Sequence, residues 1–151
     1  MVVENFSGGT LKRLGIGYDA LEEVNPQLIC RSITGFGQTG PKGQDHAYDV
    51  VVQAFSGAMA ANGEKNSRPV RIGPPMVDYG AGAQAALATS AALFQRSKTG
   101  IGQRIDVAML DATLMPMSAL VTGTLASGQA PMALGNAHAG YATYRVMECS
   151  C

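Results

Sequence analysis

The sequence predicts an α/β fold with a mostly parallel sheet and flanking helices. Short apolar runs alternate with longer helix-like segments along the 151 residues, which is the order that strand–helix–strand units produce. Two of these runs, residues 1–3 and 28–33, lead directly into glycine-containing loops, as strands do at the ligand-binding edge of such a sheet. The hydrophobic fraction of 46% and the charged fraction of 15% are typical of a chain with a buried core.

The first part of the chain predicts two strands and two short helices. Residues 1–3 form a strand so short that we expect the chain to lack an N-terminal part, or to receive it from another subunit. Thr10 is placed to cap a helix over residues 11–14. Residues 18–24 predict a second helix, which a proline ends. Residues 28–33 carry apolar side chains on both faces, as strands of parallel sheets do.

The middle of the chain predicts a helix, a short strand and a longer helix. Residues 48–61 have apolar side chains at helical spacing, and residues 70–72 predict a short strand after a polar turn. The two consecutive prolines that follow cannot lie in a helix interior. The next helix is therefore predicted from about residue 81, through the alanine-rich residues 83–95, and it ends before Gly100.

The last part of the chain predicts a strand, an apolar helix and a loop-rich end. Residues 104–108 alternate between polar and apolar side chains, which favours a strand with one polar face. Residues 110–125 predict a helix with a kink at Pro116. A strand-like segment follows at residues 141–147, and the abrupt end suggests a fragment of a longer protein.

Composition argues against several functional classes. The formal net charge is zero and the pI is about 6.7, so neither nucleic acid nor a membrane surface is an expected partner. No apolar run reaches the roughly 18 residues that a membrane span needs, and the start lacks a signal-peptide pattern. Three cysteines without metal-ligand spacing predict no metal site and a cytoplasmic location. A redox or metal role for the pair Cys149 and Cys151 is disfavoured for the same reason.

Asp78 is the candidate functional residue that the local sequence singles out. It lies at the predicted start of the long helix, where free backbone N–H groups can bind its carboxylate and the helix dipole favours the ionised form. Gly80 and Gly82 remove side chains beside it, so a bulky ligand can approach the backbone. An ionised carboxylate in such a place can act as a nucleophile. A plain helix cap is the alternative, and it is the more common role of aspartate there.

Other motifs are weaker. Residues 35–40 match the G-x-G-x-x-G spacing, but Pro41 follows where the phosphate-binding mechanism requires a helix, so dinucleotide binding is disfavoured. His46 and His138 are candidate acid/base groups, although a histidine in a polar loop is more often a solvated residue. Several basic residues are candidate partners for phosphate or carboxylate groups: Lys12, Arg13, Arg31, Arg68 and Arg71.

Several loops together resemble the class III CoA-transferases, also called the CaiB/BaiF family. That family includes formyl-CoA transferase, carnitine CoA-transferases and α-methylacyl-CoA racemases. The matching segments occur in family order over nearly the whole chain, at residues 2–6, 14–18, 25–29, 32–41, 47–49, 78, 99–103, 106–112 and 135–138. The resemblance implies a partial, Rossmann-like large domain over residues 1–126. It also implies a linker over residues 127–151 that leads towards a missing small domain.

The resemblance implies a catalytic role for Asp78. In the family, an aspartate at this position attacks an acyl-CoA and passes through an aspartyl–acyl anhydride and an aspartyl–CoA thioester. Nearby backbone N–H groups are expected to help stabilise the oxyanion. Asn5 and Phe6 match a loop that contacts CoA, and Arg13 falls where a basic residue reaches the CoA phosphates. Tyr48 is expected beside the pantetheine path.

His46 falls near a position that is basic in some family members, and it is carried over as a further CoA contact. The loop after Phe6 departs from the Arg-Pro-Gly of most members and is expected to be looser. Tyr48 replaces the histidine of the racemase branch and so removes an acid/base group with a pKa near neutrality. This favours CoA transfer over racemisation.

The resemblance also implies an acyl-CoA and a carboxylic acid as substrates, no cofactor besides CoA itself, and a homo-oligomer. Two alternatives remain open beside a CoA-transferase. One is a truncated, catalytically inactive fragment with a binding or assembly role, and the other is an acyl-CoA racemase or epimerase.

Overall fold

A computed structural model describes residues 1–147 and residue 149, and its centre is a parallel sheet. The strands of the described residues are β1 (Val2–Glu4), β2 (Ile29–Thr34) and β3 (Gln103–Ala108). Their order in the sheet is the same as in the chain, and both neighbouring pairs are parallel. The predicted α/β fold with a mostly parallel sheet is therefore confirmed.

The described residues also form helices on both sides of this sheet. Their bounds are α1 (Thr10–Arg13), α2 (Tyr18–Val24), α3 (Asp49–Phe55), α4 (Ala58–Ala61), α5 (Met76–Thr99), α6 (Met109–Leu114) and α7 (Ser118–Ser127). None of the helices in the described part of the chain is long and apolar enough to cross a membrane.

The long helix α5 covers one face of the sheet. Its buried side chains recur every three or four residues, which is the spacing of one helical face; they are Val77, Ala81, Ala85, Thr89 and Ala92. Most are small, so the helix backbone lies close to β2 and β3. Ile29 and Ile105 of these strands complete the core together with Met109 of α6. The guanidinium of Arg31 in β2 also reaches this face, since Nη1 donates to Oγ1 of Thr89 at 3.1 Å.

The opposite face of the sheet lies towards α1 and α2. Side chains alternate across a strand, so Cys30 and Ser32 point away from α5. They border a second cavity of about 300 Å³, which Lys12 of α1 and Tyr18 of α2 also line. Helices therefore flank the sheet on both faces, as the sequence predicts.

Besides the start of α5, three helix predictions need correction. The first helix begins at Thr10, and Gly9 occupies the N-cap position, so Thr10 does not cap it. The helix predicted over residues 48–61 is broken into α3 and α4, because Gly57 adopts a left-handed φ of 80°. The helix predicted over residues 110–125 is likewise two helices, with the break at Met115–Met117 where a kink was expected.

Two strand predictions are wrong. Residues 70–72 form no strand, because their backbone groups bond to residues of helices. Val70 donates its N–H to the carbonyl of Met59 in α4 at 3.1 Å, and Ile72 donates its N–H to the side chain of Gln53 in α3. Residues 141–147 form turns and bends. The Cys149 and Cys151 pair falls partly outside the described residues, since Cys151 is not among them.

The start of α5 is the correction that bears most on function. The alanine-rich pattern predicts a helix from about residue 81, whereas α5 begins at Met76, directly after Pro75 at the N-cap position. Proline is favoured around the first turn because its fixed φ suits a helix and the missing N–H is not needed there. Asp78 therefore lies within the first turn of α5. The helix ends at Gly100, as predicted, with a left-handed φ of 72°.

Candidate active site

The loops that follow β1 and β2, together with the starts of α5 and α6, border one open cleft at the carboxyl edge of the sheet. Its volume is about 410 Å³, and this edge is where open α/β sheets bind ligands. Five of the six residues proposed from the sequence line it, namely Asn5, Phe6, His46, Tyr48 and Asp78. Ser7, Gly35, Asp45, Gly82 and Met109 are among the other lining residues.

Asp78 does not cap its own helix. No side chain of α5 bonds to the free N–H groups of its first turn. Those N–H groups bind the carboxylate of Asp49 in α3 instead: Val77 donates to Oδ2 of Asp49 at 2.9 Å, and Asp78 donates to the same atom at 3.4 Å. The expected capping role thus belongs to Asp49. The Asp78 carboxylate accepts no hydrogen bond from any of the described residues, and it is exposed at the cleft.

The protonation equilibrium of Asp78 also differs from the expectation. Desolvation by neighbouring atoms raises the pKa of this carboxyl above its ordinary value of 3.8, and the negative charge of Asp49 raises it further. The sequence argument placed free N–H groups against the Asp78 carboxylate, which would favour the ionised form. Asp49 takes these N–H groups and adds a like charge, so the shift has the opposite sign. A more basic carboxylate is a stronger nucleophile.

The start of α5 supplies no free oxyanion donors. Besides the two N–H groups that bind Asp49, Met76 donates to the carbonyl of Pro74 at 2.8 Å and Tyr79 to that of Pro75 at 3.1 Å. All four N–H groups of the first turn therefore have acceptors within the protein. In the described conformation these four N–H groups are therefore not available to an oxyanion.

The loop after β1 is held firmly by the neighbouring loop. Glu4 accepts the N–H of Phe6 on Oε2 at 2.8 Å, and the side chain of Gln38 accepts the N–H of Gly9 at 3.0 Å. Gly8 packs so closely that a Cβ there would lie 1.9 Å from the carbonyl oxygen of Gly43. The expected looseness is not seen, because the two glycines after Ser7 allow this close approach.

Tyr48 and His46 belong to the segment that leads into α3. Tyr48 is 78% exposed and is the N-cap residue of that helix, while His46 is exposed beside it. Asp45, which also lines the cleft, forms an ion pair of 2.9 Å with Lys42. This segment therefore presents a phenol, an imidazole and a paired carboxylate to the same space as Asp78.

Arg13 does not line the cleft. Its guanidinium donates to the Gly8 carbonyl at 3.4 Å, to Oε1 of Gln44 at 3.2 Å and to Oγ1 of Thr10 at 2.7 Å. It is thus held beside the loop that carries Asn5 and Phe6, at the Gly8 carbonyl. A ligand that contacts both Arg13 and Asp78 must therefore extend beyond the cleft.

Two residues that position the site were not proposed from the sequence. Asp49 holds the first turn of α5, and Gln53 in turn bonds to Asp49 with its side-chain amide. Asp49 lies four residues before Gln53, a spacing that allows a side-chain hydrogen bond on a helix. The bond between Asp49 and Gln53 could therefore have been predicted from their spacing. No pattern in the neighbouring sequence predicts that either residue acts on Asp78.

Comparison with known proteins identifies the family of the chain. A family model described as CoA-transferase family III matches residues 1–150. The succinate–glutarate CoA-transferase of Agrobacterium fabrum is 40% identical over 147 residues, which are 97% of this chain and 37% of that protein. The acetyl-CoA:oxalate CoA-transferase of Acetobacter aceti is 40% identical over 149 residues, which are 98% of this chain and 38% of that protein.

A solved structure of a family member has a similar fold. The crystal structure of a CaiB/BaiF family protein from Brucella suis superposes with a TM-score of 0.86 at 40% identity, over 99% of this chain and 39% of that one. The chain thus spans about two fifths of the length of the relatives it matches. Since the family model covers nearly all of the chain and these relatives match it almost from end to end, the chain belongs to CoA-transferase family III.

Proposed function

We propose that this chain carries the nucleophile of a CoA-transferase, which moves CoA between an acyl-CoA and a carboxylic acid. The observation that supports this most directly is the carboxylate of Asp78, which accepts no hydrogen bond from the described residues and borders a cleft shared with Asn5, Phe6 and Tyr48. A carboxylate whose lone pairs are unoccupied and whose pKa is raised is suited to attack a thioester carbonyl.

The proposed reaction passes through covalent intermediates on Asp78. Its carboxylate attacks the carbonyl carbon of the acyl-CoA, the carbon–sulfur bond breaks, and an aspartyl–acyl anhydride and CoA thiolate result. The thiolate then attacks the aspartyl carbonyl, which releases the donor acid and leaves an aspartyl–CoA thioester. An acceptor carboxylate repeats the two steps in reverse order and departs as a new acyl-CoA. CoA is thus a substrate, and no other cofactor takes part.

The remaining site residues are proposed to bind CoA. Asn5 and Phe6 lie on a loop that is tied down by Glu4, so they offer a preformed contact for the pantetheine arm. Tyr48 and His46 line the same cleft and extend this contact. Arg13, which lies outside the cleft and beside Gly8, is proposed to meet the phosphates of a ligand that extends beyond the cleft, because guanidinium groups bind phosphate well.

The organisation of the whole protein is part of the proposal. Residues 1–126 would belong to a large domain, and residues 127–151 to a linker towards a small domain. A homo-oligomer is proposed because several large apolar side chains on helices α5 and α7 are exposed, among them Leu87, Phe94 and Leu125. A cytoplasmic location is proposed from the cysteine usage.

The test is the intact mass of the chain after incubation with acyl-CoAs. The panel contains succinyl-CoA, acetyl-CoA and formyl-CoA, because related transferases are named for succinyl, acetyl and formyl donors. An acyl-sized or CoA-sized adduct is expected on the native chain and not on Asp78→Ala. Trapping with hydroxylamine would convert the Asp78 adduct into a hydroxamate and locate it.

The alternative is that the chain is catalytically inactive on its own. The observation that favours it is length, since the chain covers 37% of the succinate–glutarate enzyme. A folded chain that forms no adduct with any donor would support this alternative. Loss of an α-deuterium from a labelled acyl-CoA, without an adduct, would instead support a racemase or epimerase.

A further inference from the structure

Gln53 is a fully buried polar side chain at the centre of a hydrogen-bond network. It is 0% exposed, and its amide makes three hydrogen bonds. Nε2 donates to Oδ1 of Asp49 at 2.6 Å and to the carbonyl of Ile72 at 3.2 Å, while Oε1 accepts the N–H of Ile72 at 2.9 Å. Each polar atom is satisfied, and the two bonds to Ile72 fix the orientation of the amide. Such a buried, fully bonded group holds its neighbours rigidly.

Asp49 uses both of its carboxylate oxygens as acceptors. Oδ1 accepts from Gln53, and Oδ2 accepts the N–H groups of Val77 and Asp78. Only a carboxylate offers two acceptor oxygens in this geometry, because an asparagine would turn one of them into a donor. The contacts therefore run without a gap from the Ile72 backbone through Gln53 and Asp49 to the first turn of α5.

We infer that Gln53 is a positioning residue for Asp78: it orients the Asp49 carboxylate against the first turn of α5 and holds the backbone of Ile72. The contact with Asp49 fixes the backbone of the helix turn that carries Asp78. The contact with Ile72 fixes the segment that leads into the two prolines before α5. The inference rests on the proposed role of Asp78 as nucleophile. The contacts of Gln53 and Asp49 are present in the chain without a bound substrate.

The orientation of Asp49 has an electrostatic effect as well. The titratable side chains that border the cleft around Asp78 are Asp45, His46 and Tyr48, and Asp49 faces it from α3. Of these, Asp49 contributes to the raised pKa of Asp78. If Gln53 no longer held Asp49 in place, the like charge would move away and the pKa of Asp78 would fall towards its ordinary value.

The test compares Gln53→Met with Gln84→Met in the 151-residue chain. Methionine is unbranched and of similar length, so it removes the amide with little change of shape. Gln84 is the matched control, because its Nε2 also donates to a backbone carbonyl, that of Ala112 at 3.1 Å, but contacts neither Asp49 nor Asp78. Two quantities are measured by NMR: the hydrogen-exchange rate of the Val77 amide, and the titration of the Asp78 carboxyl carbon.

For Gln53→Met we expect the Val77 amide to exchange about tenfold faster, as the loss of a charge-assisted hydrogen bond predicts, and the Asp78 titration to move to lower pH. Gln84→Met should leave both quantities near the native values. Unchanged exchange and an unchanged titration in folded Gln53→Met would overturn the inference.

Should Gln53→Met fail to fold, Asp49→Asn is measured in the same way. It removes the negative charge, so the Asp78 titration should move to lower pH. It also replaces the carboxylate by an amide, which is a weaker acceptor, so the Val77 amide should exchange faster. Native values for both quantities would overturn the inference. Neither readout needs an acyl-CoA. If both quantities shift as expected but the native chain forms no adduct, the positioning by Gln53 is supported. Only the proposed reaction is then contradicted.

Discussion

The backbone N–H of Gln38 donates to Oδ2 of Asp106 at 2.9 Å, which ties the loop after β2 to the outer strand β3. The side chain of the same glutamine reaches the other way, to the N–H of Gly9 at 3.0 Å and to Glu4 at 3.5 Å. One residue thus connects the ends of all three described strands. Gln38, Gly9 and Glu4 also line the second cavity.

The first prediction concerns this connection. Asp106→Ala removes the acceptor for the Gln38 N–H, and the free energy of unfolding should fall by about 1 kcal/mol, the usual net contribution of such a bond. Urea unfolding measures the change. Glu23→Ala, which removes an exposed carboxylate without a hydrogen bond among the described residues, should have almost no effect. Equal losses in the two variants would contradict the prediction.

The second prediction concerns Asp78 and pH. Because its pKa is raised in the folded chain, folding favours the protonated carboxyl, and this contribution to stability is lost as pH rises through the folded pKa. Asp78→Asn removes the loss, so the variant should be more stable than the native chain at neutral pH. The difference should disappear below the ordinary pKa of 3.8. Urea unfolding over a pH series measures it, and a native chain that is the more stable at pH 7 would refute the argument.

The third prediction separates helix stability from access to the cleft. Gly80 and Gly82 both lie inside α5, and a Cβ at either would meet no atom within 4 Å. Alanine at either position should therefore raise the free energy of unfolding by up to about 1 kcal/mol. Only Gly82 lines the cleft, so Gly82→Leu should slow adduct formation with acyl-CoA whereas Gly80→Leu should not. Equal rates for the two leucine variants would show that the cleft beside Gly82 is not the acyl-CoA site.

The fourth prediction concerns the loop after β1. A Cβ on Gly8 would collide with the carbonyl of Gly43, and backbone atoms cannot move aside as a flexible side chain can. Gly8→Ala should therefore lower the free energy of unfolding by about 2 kcal/mol, in the range of overpacking. Gly73→Ala is the control, since a Cβ there meets nothing within 4 Å. Thermal unfolding of both variants measures the effect, and a Gly8→Ala melting temperature equal to that of the control would disprove the predicted clash.

The elements that depend mainly on neighbouring residues could be predicted from the sequence. The second helix has the predicted bounds, β2 is shifted by one residue at each end from the predicted strand, and β3 begins one residue earlier than predicted. These elements could be predicted because their apolar residues and the glycine or proline residues that end them lie close together in the sequence. The cleft could be assembled only through the family resemblance, which brought Asn5, Phe6, His46 and Tyr48 together with Asp78.

What could not be predicted depends on contacts between distant residues. The early start of α5 relies on Asp49, whose carboxylate binds an N–H group 28 residues further along the chain. Desolvation of the Asp78 carboxyl and the negative charge of Asp49 together reverse the sign of the pKa shift expected for Asp78. Residues 70–72 lack a strand because the Gln53 side chain, 19 residues earlier, takes the backbone groups of Ile72. A pattern within a short window contains none of these pairings.

The contact between Asp49 and the first turn of α5 also has a consequence for the order of folding. A helix over alanine-rich residues can form within about a microsecond, before tertiary structure. Asp78 reaches its final environment only once α3 has docked and closed a loop of 28 residues, which costs chain entropy. Helical circular dichroism should therefore recover before the Asp78 environment during refolding, and the reactivity of this aspartate would report the docking of two helices.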